Sequence, residues 1–244
     1  MEVILVPTLL ADSGNVGSAE IEPRWLIEAP TAGTMSLKQR AADIRFSGGN
    51  SLLVEVESGL WERVLFSLSF GGQNLLGSQS TDWNPGLGVS GRVRILSETG
   101  TRPALAVGFR SQGFGAYDDL LERYESKSLG LYAVFSRNYR NPTGQSGVHF
   151  GLNRSFEDDD DGSLTGFVGS DLEFGGKLAL LGEYHFAFND DDGQALGKGR
   201  GYLNVGIRWI VSDRLAIEFD LKDVLENNAR VKRSREVRVM FVRG

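Results

Sequence analysis

Between Gly201 and Lys222 apolar and polar positions alternate without a break. Leu203, Val205, Ile207 and Trp209 are separated by Asn204, Gly206 and Arg208; after Ser212, Asp213 and Arg214, the residues Leu215, Ile217, Phe219 and Leu221 are separated by Ala216, Glu218 and Asp220, with Lys222 last. A period of two is that of a β-strand, whose successive side chains point to opposite faces. The stretch therefore predicts an antiparallel hairpin with one apolar face and one face that carries charges of both signs.

The same pattern recurs along the chain. Ala42, Ile44 and Phe46 oppose Ala41, Asp43 and Arg45; after a Gly48-Gly49-Asn50 turn, Leu52, Val54 and Val56 oppose Leu53, Glu55 and Glu57. Val64, Phe66, Leu68 and Phe70 oppose Arg63, Leu65, Ser67 and Ser69, and Leu87, Val89, Val93 and Ile95 oppose Gly88, Ser90, Arg92 and Arg94. Leu105, Val107 and Phe109 oppose Ala106, Gly108 and Arg110; Leu129, Leu131, Ala133 and Phe135 oppose Gly130, Tyr132, Val134 and Ser136. Further on, Val148, Phe150 and Leu152 oppose His149, Gly151 and Asn153; Leu178, Leu180, Tyr184, Phe186 and Phe188 oppose Leu181, Glu183 and His185; and Val237, Val239 and Phe241 oppose Glu236, Arg238 and Met240. In Leu164 to Leu172 the neighbours Phe167 and Val168 break the phase, which predicts a bulge or a register shift.

The series amounts to about 12 strands, an even number suited to an all-β, closed, antiparallel up-and-down transmembrane β-barrel. The connections near 71–84, 111–127, 156–163, 189–200 and 223–234 would fall at one end and be long. Those near 58–60, 97–102, 137–146, 173–176 and 211–214 would fall at the other and be mostly short, with 137–146 longer than the rest. Outer-membrane barrels have this asymmetry, with short periplasmic turns and longer outer loops. On this reading residues 33–244 form the barrel, and residues 1–32, interrupted by Pro7, Pro23 and Pro30, form an N-terminal segment that plugs or underlies it, adds a strand pair or is partly disordered. A soluble barrel with its apolar face inside, holding an apolar ligand, is the alternative.

Composition narrows the classes. With 26 basic and 32 acidic residues the net charge is -6, the wrong sign for a nucleic-acid partner. The 32 glycines fit a strongly coiled sheet, and zero cysteines exclude disulfides, thiolate metal sites and thiol nucleophiles. No run reaches the ~20 apolar residues of a membrane-spanning helix, a test that does not register transmembrane strands. The N-terminus MEVILVPTLLADSG lacks the basic region and apolar core of a secretory signal, so an exported barrel is expected here in mature form. Phe70, Phe109, Phe186 and Phe188 fall at the long-loop ends of their strands and Phe135 and Trp209 at the short-turn ends, as interfacial girdles would.

The polar face is the candidate site. In a membrane barrel the lumen is lined by Asp43, Arg45, Glu55, Glu57, Arg63, Arg92, Arg94, Arg110, Glu183, His185, Arg208, Glu218, Asp220, Lys222, Glu236 and Arg238. These side chains either pair across the lumen and fill it, because unpaired buried charge is costly, or leave a narrow pore for polar or anionic solutes, with Arg63, Arg92, Arg94 and Arg110 on one wall. The acidic runs Glu157–Gly162 and Asn189–Gly193 do not have the ligand spacing of a calcium loop and read as solvated tips; no metal or cofactor is assigned. The basic run Arg230–Glu236 begins in an outer loop, where it could meet lipid phosphates, although such a run is more often just a charged strand edge. An outer-membrane lipid hydrolase would need Ser and His on the outer wall. The two histidines, His149 and His185, phase inward with Ser136 and Asn153, so no catalytic residue is assigned and the chain is expected not to be an enzyme.

Pro103–Gly108, PALAVG, followed by a glycine-containing loop and Tyr132–Arg137, YAVFSR, resembles a paired-strand signature of YjbH-type outer-membrane proteins. WNPGLGVSGRVRI, GYLNVGIRWI and LAIEFDLKDVL are similar to segments of short single-barrel relatives of that group. The resemblance implies a bacterial outer-membrane barrel in contact with lipid, with a link to exopolysaccharide and hence to a saccharide solute. YjbH-type proteins are much larger than this chain, which ends Phe241-Val-Arg-Gly without a terminal aromatic.

Overall fold

The computed structural model describes residues 23–75, 80–142, 144–157, 162–191, 195–197 and 199–244. Its strands are β1 (Arg40–Ser47), β2 (Ser51–Trp61), β3 (Val64–Gln73), β4 (Asp82–Trp83), β5 (Gly88–Leu96), β6 (Ala104–Arg110), β7 (Phe114–Asp118), β8 (Arg123–Ser126), β9 (Gly130–Asn141), β10 (Gly144–Arg154), β11 (Thr165–Phe174), β12 (Leu178–His185), β13 (Tyr202–Ser212), β14 (Leu215–Lys222) and β15 (Ser234–Arg243). All except β4, β7 and β8 pair antiparallel with the next in order, and β1 also pairs with β15, so a barrel of 12 strands closes. Closure leaves no exposed edge, the condition for a sheet to cross hydrocarbon. The short β4 pairs antiparallel with the end of β3, and β7 and β8 form a separate hairpin inside the long connection from β6 to β9.

Burial follows the alternation. In β10, Gly147, His149, Gly151 and Asn153 are buried while Val148, Phe150, Leu152 and Arg154 are exposed. The exposed face is the apolar one, which fits a barrel surrounded by lipid. Aromatic residues gather toward both ends of that face. At the long-loop end Phe70 stacks on Trp83, Phe109 lies against Phe156, and Phe186 stacks on Phe188; at the other, Trp61, Phe174, Trp209 and Phe241 are exposed.

Connections 74–87, 111–129, 155–164, 186–201 and 223–233 lie at one end together with the short 48–50 turn, and 62–63, 97–103, 142–143, 175–177 and 213–214 lie at the other. Four local expectations are corrected. The turn expected at 58–60 is strand: β2 runs on to Trp61, and Gly59 is glycine because a Cβ there would stand 2.3 Å from the Ser36 carbonyl oxygen. The connection expected over 137–146 shrinks to 142–143, since β9 continues to Asn141. The pairings of β11 are regular, with Phe167 inward over Gly151 and Val168 outward, so there is no bulge. Leu129 is buried, because Gly130, with φ +60°, turns the chain as β9 begins.

Residues 1–22 of the expected N-terminal segment lie outside the described residues. Arg24 to Met35 are all buried. Trp25, Leu26, Ile27, Ala29 and Ala32 make an apolar cluster with the inward Ala106, Tyr132, Val134, Phe167 and Leu181, and with Phe114 of β7. The interior of the barrel is therefore a packed core built around an inserted segment that runs past residue 32.

Candidate functional site

The inserted segment is a tight bend. The Leu26 amide donates to the Ala29 carbonyl (2.9 Å), the Thr31 amide to the Arg24 carbonyl (3.1 Å), and Trp25 bridges Pro30. Gly33 lets the two arms meet, since a Cβ there would lie 2.3 Å from the Pro23 oxygen. Few of the bend's amides and carbonyls bond within it, and buried main-chain groups need partners. The barrel wall supplies them. Arg92 clamps both arms through the Arg24 and Gly33 carbonyls (2.8 Å each), Arg208 takes those of Trp25 (2.9 Å) and Leu26 (3.0 Å), Arg45 that of Ile27 (2.9 Å), and Arg94 that of Ala32 (2.9 Å). The Glu183 carboxylate accepts from the successive amides of Ile27 (3.1 Å), Glu28 (2.9 Å) and Ala29 (2.9 Å), and Ser136 Oγ accepts from Ala32 (2.8 Å).

Ion pairs complete the wall. Arg110 binds Glu55 (2.7 Å), Arg45 binds Glu236 (2.6 Å), Arg208 binds Glu218 (2.5 Å) and Arg238 binds Asp43. Register explains the slant of the Arg45 and Arg238 pairs. Arg45 lies directly opposite Arg238, and each turns away from its like-charged neighbour to a carboxylate beside it. Asp220 opposes Glu236, and neither of its oxygens has a hydrogen-bond partner among the described residues. Two further pairs join wall and segment: Arg24 with Glu57 (2.5 Å) and Lys222 with Glu28 (2.8 Å).

Arg92 differs from the other buried cations in having only neutral acceptors among the described residues, the two segment carbonyls and Tyr132 Oη (3.0 Å), with Nη2 unpartnered. Its charge is met by aromatic faces. The Trp25 ring lies 4.8 Å from the guanidinium carbons of both Arg92 and Arg110, and the Phe114 ring 4.9 Å from those of Arg110 and Arg45. Such contacts strengthen on desolvation. Neither ring belongs to a barrel strand.

Of the lumen residues expected from sequence, Asp43, Arg45, Glu55, Glu57, Arg92, Arg110, Glu183, Arg208, Glu218, Asp220, Lys222, Glu236 and Arg238 are buried inside the barrel. Arg94 is half-buried and holds the segment. His185 is half-buried and bonds Glu183 (3.1 Å). Arg63 is a correction: it is exposed in the turn between β2 and β3, because β3 begins at Val64. Sequence reasoning did not single out Arg24, Trp25, Glu28 or Phe114, which sit outside any alternating run. It placed Ser136 and His149 on the same inward face but did not include Asp171. His149 Nδ1 lies 2.8 Å from Ser136 Oγ and Nε2 lies 2.9 Å from Asp171 Oδ1, a chain across β9, β10 and β11 that ends on the Ala32 amide. Glu28, Glu183 and His185 bring metal-type donors together, but their oxygens already serve Lys222, Ser126 and three main-chain amides.

At the long-loop end the β7–β8 hairpin folds inward. Arg123 pairs with Asp190 (2.5 Å), whose other oxygen accepts from Tyr202 (2.5 Å), and Glu157 accepts from the Tyr124 (3.0 Å) and Ser128 (2.8 Å) amides. Burial works against the Asp190 charge, but the hydrogen bonds and charge of Arg123 outweigh it and hold the carboxyl below its ordinary range. At Glu157 burial prevails and pushes the carboxyl up. The free space inside includes small cavities, two of about 40 Å³ beside Glu28 and Tyr202 and one of about 50 Å³ beside Pro23 and Asp171, each large enough for a few waters.

No family model and no curated protein matches the chain. Among solved structures, the KdgM porin aligns with a TM-score of 0.51 at 12% identity, over 83% of this chain and 98% of that one. The fold is that of a small porin barrel. The KdgM porin in complex with disordered oligogalacturonate aligns equally, with a TM-score of 0.51, 12% identity and 83% and 98% coverage. Omp33 of Acinetobacter baumannii aligns at 0.46 with 9% identity, over 83% of this chain and 96% of that one.

Proposed function

We propose that this chain is a bacterial outer-membrane channel for anionic solutes, held shut by its own residues 23–35. The observation that carries the reading is Arg92: a buried guanidinium with no carboxylate partner among the described residues, whose donors are held by the segment's carbonyls and whose face is covered by Trp25. When the segment withdraws, Arg92 and Arg94 face the lumen. A carboxylate is a stronger acceptor for a guanidinium than the neutral carbonyls it replaces. The oligogalacturonate bound by the KdgM porin is an acidic saccharide, and the resemblance to YjbH-type proteins points to envelope polysaccharide; an acidic saccharide is accordingly the proposed solute class. The barrel is surrounded by outer-membrane lipid with its long loops outward. It carries out no reaction: the Ser136, His149 and Asp171 chain holds the Ala32 amide.

Planar-bilayer conductance tests this. The unaltered chain should be nearly silent, and Arg24→Ala with Trp25→Ala, which removes one ion pair and both aromatic contacts of Trp25 with arginine, should open an anion-preferring current. A cation-preferring current would overturn the solute class. Silence from a variant that still shows the heat-dependent gel shift of a folded barrel would favour a structural barrel, the reading suggested by the small cavities.

A further inference from the structure

The inward face of the barrel is packed around the segment; the outward face has an irregularity of its own. Two outward rows cross β12 to β15 there. The row nearer the long loops is Gly182, Val205, Leu221 and Arg235, and the row beneath it is Leu180, Ile207, Phe219 and Val237. Apart from Gly182, these residues border an open apolar hollow of about 620 Å³, far larger than the interior cavities described above. Its floor is apolar and its upper corner is Arg235. Gly182 stands beside it, opposite Val205, where a Cβ would meet no atom within 4 Å.

The rim above is basic. Residues Arg230, Lys232, Arg233 and Arg235 stand where the last long loop joins β15. Arg230 is held by Asp118, and Arg233 pairs with Glu226 at 2.8 Å. Lys232 and Arg235 are exposed and have no ion pair among the described residues. An apolar hollow at strand depth, with two free cations at its outward corner, is complementary to a molecule that has hydrocarbon chains below and a phosphate above. Cations at a membrane surface attract anionic headgroups, while the chains fill a surface that would otherwise be poorly packed.

We propose that this hollow binds one phosphorylated, multiply acylated lipid of the outer leaflet, its chains against Val205, Ile207 and Phe219 and its phosphate on Arg235 and Lys232. The site is independent of the channel and requires only that the long loops face outward.

Native mass spectrometry of the full chain in detergent tests the assignment. The probes are a bis-phosphorylated, hexa-acylated disaccharide lipid and its phosphate-free counterpart. The unaltered protein should retain one phosphorylated lipid. Arg235→Gln with Lys232→Gln should weaken that lipid severalfold, about fivefold for each cation removed, and leave the phosphate-free lipid unchanged. Gly182→Phe, which adds a ring on the outward face beside Val205 at the edge of the hollow, should weaken both. Arg140→Gln, a control on β9, should weaken neither. Retention that is the same in all four proteins, or loss equal for both lipids in the double variant, would overturn the proposal, as would a mass showing a second copy of the chain on this face.

Discussion

At the scale of single residues, the two faces of one strand should respond in opposite ways to truncation. Ile207 faces outward, so Ile207→Ala leaves a gap that lipid or detergent fills, and the loss should be well below the ~2 to 5 kcal/mol of a core deletion. Ile207→Arg should cost ~2 to 4 kcal/mol at mid-strand. Glu218 faces inward and serves Arg208 directly, with Arg238 at 3.5 Å, so Glu218→Ala strands buried positive charge and should cost roughly 3 to 5 kcal/mol. Denaturation in detergent micelles measures all three, and a larger loss for Ile207→Ala than for Glu218→Ala would reverse the assignment of the faces. Ser136 allows a second test at this scale. Its hydroxyl is hydrogen-bonded to His149, an arrangement shared with nucleophilic serines, yet the Ala32 amide lies on it. A fluorophosphonate probe should leave Ser136 unlabelled in the unaltered chain and in the Arg24→Ala, Trp25→Ala variant; stoichiometric labelling lost in Ser136→Ala would replace the structural role with a catalytic one.

At the scale of elements, the strands were legible because an exposed apolar face and a buried charged face impose the same period on every one. The errors share a cause. Gly59 resembles a turn residue, but its missing side chain serves a close approach within a strand, and Phe167 breaks the polar phase because a large ring fills the space over inward Gly151. The inserted segment was illegible as a ligand of the lumen, since the wall grips its main chain, and main-chain recognition leaves no side-chain pattern to read. The β7–β8 hairpin was invisible for a related reason: Arg123 and Asp190 are far apart in sequence and each belongs to a loop. That hairpin should respond to pH in two stages. Glu157, raised by burial, favours the seated hairpin when protonated, a contribution present below the ordinary glutamate pKa of ~4.3 and lost as pH rises through its folded value. Asp190, held low, contributes above the ordinary aspartate pKa of ~3.9 and loses that contribution as pH falls through its own lower value. The chain has no cysteine, so a spin label on Ala116→Cys reports on the hairpin alone. It should tighten from neutral toward mildly acidic pH and loosen only under strong acid, with Glu157→Gln removing the first stage and Asp190→Asn the second.

For the whole molecule the question is how a lumen with near-balanced charge could prefer one sign of solute. Residues 23–35 carry Arg24 and Glu28, so their withdrawal leaves the formal charge of the barrel unchanged. What changes is which charges have partners. Arg110, Arg45, Arg208 and Arg238 keep their carboxylates on the wall, whereas Arg92 loses both carbonyls and the cover of Trp25. Glu57 in turn loses Arg24 and the Trp25 indole N–H, its bonds at 2.5 and 3.1 Å. The open lumen would then carry one freed cation on β5 and one freed anion on β2, with β3 between them, and selectivity would depend on their difference. In the Arg24→Ala, Trp25→Ala background, Arg92→Gln should therefore shift the reversal potential in a salt gradient toward cations, and Glu57→Gln should shift it toward anions. Opposite shifts at similar conductance would locate selectivity in this pair. Equal reversal potentials in both variants would mean that other charges govern permeation and that Arg92 serves only to hold the segment.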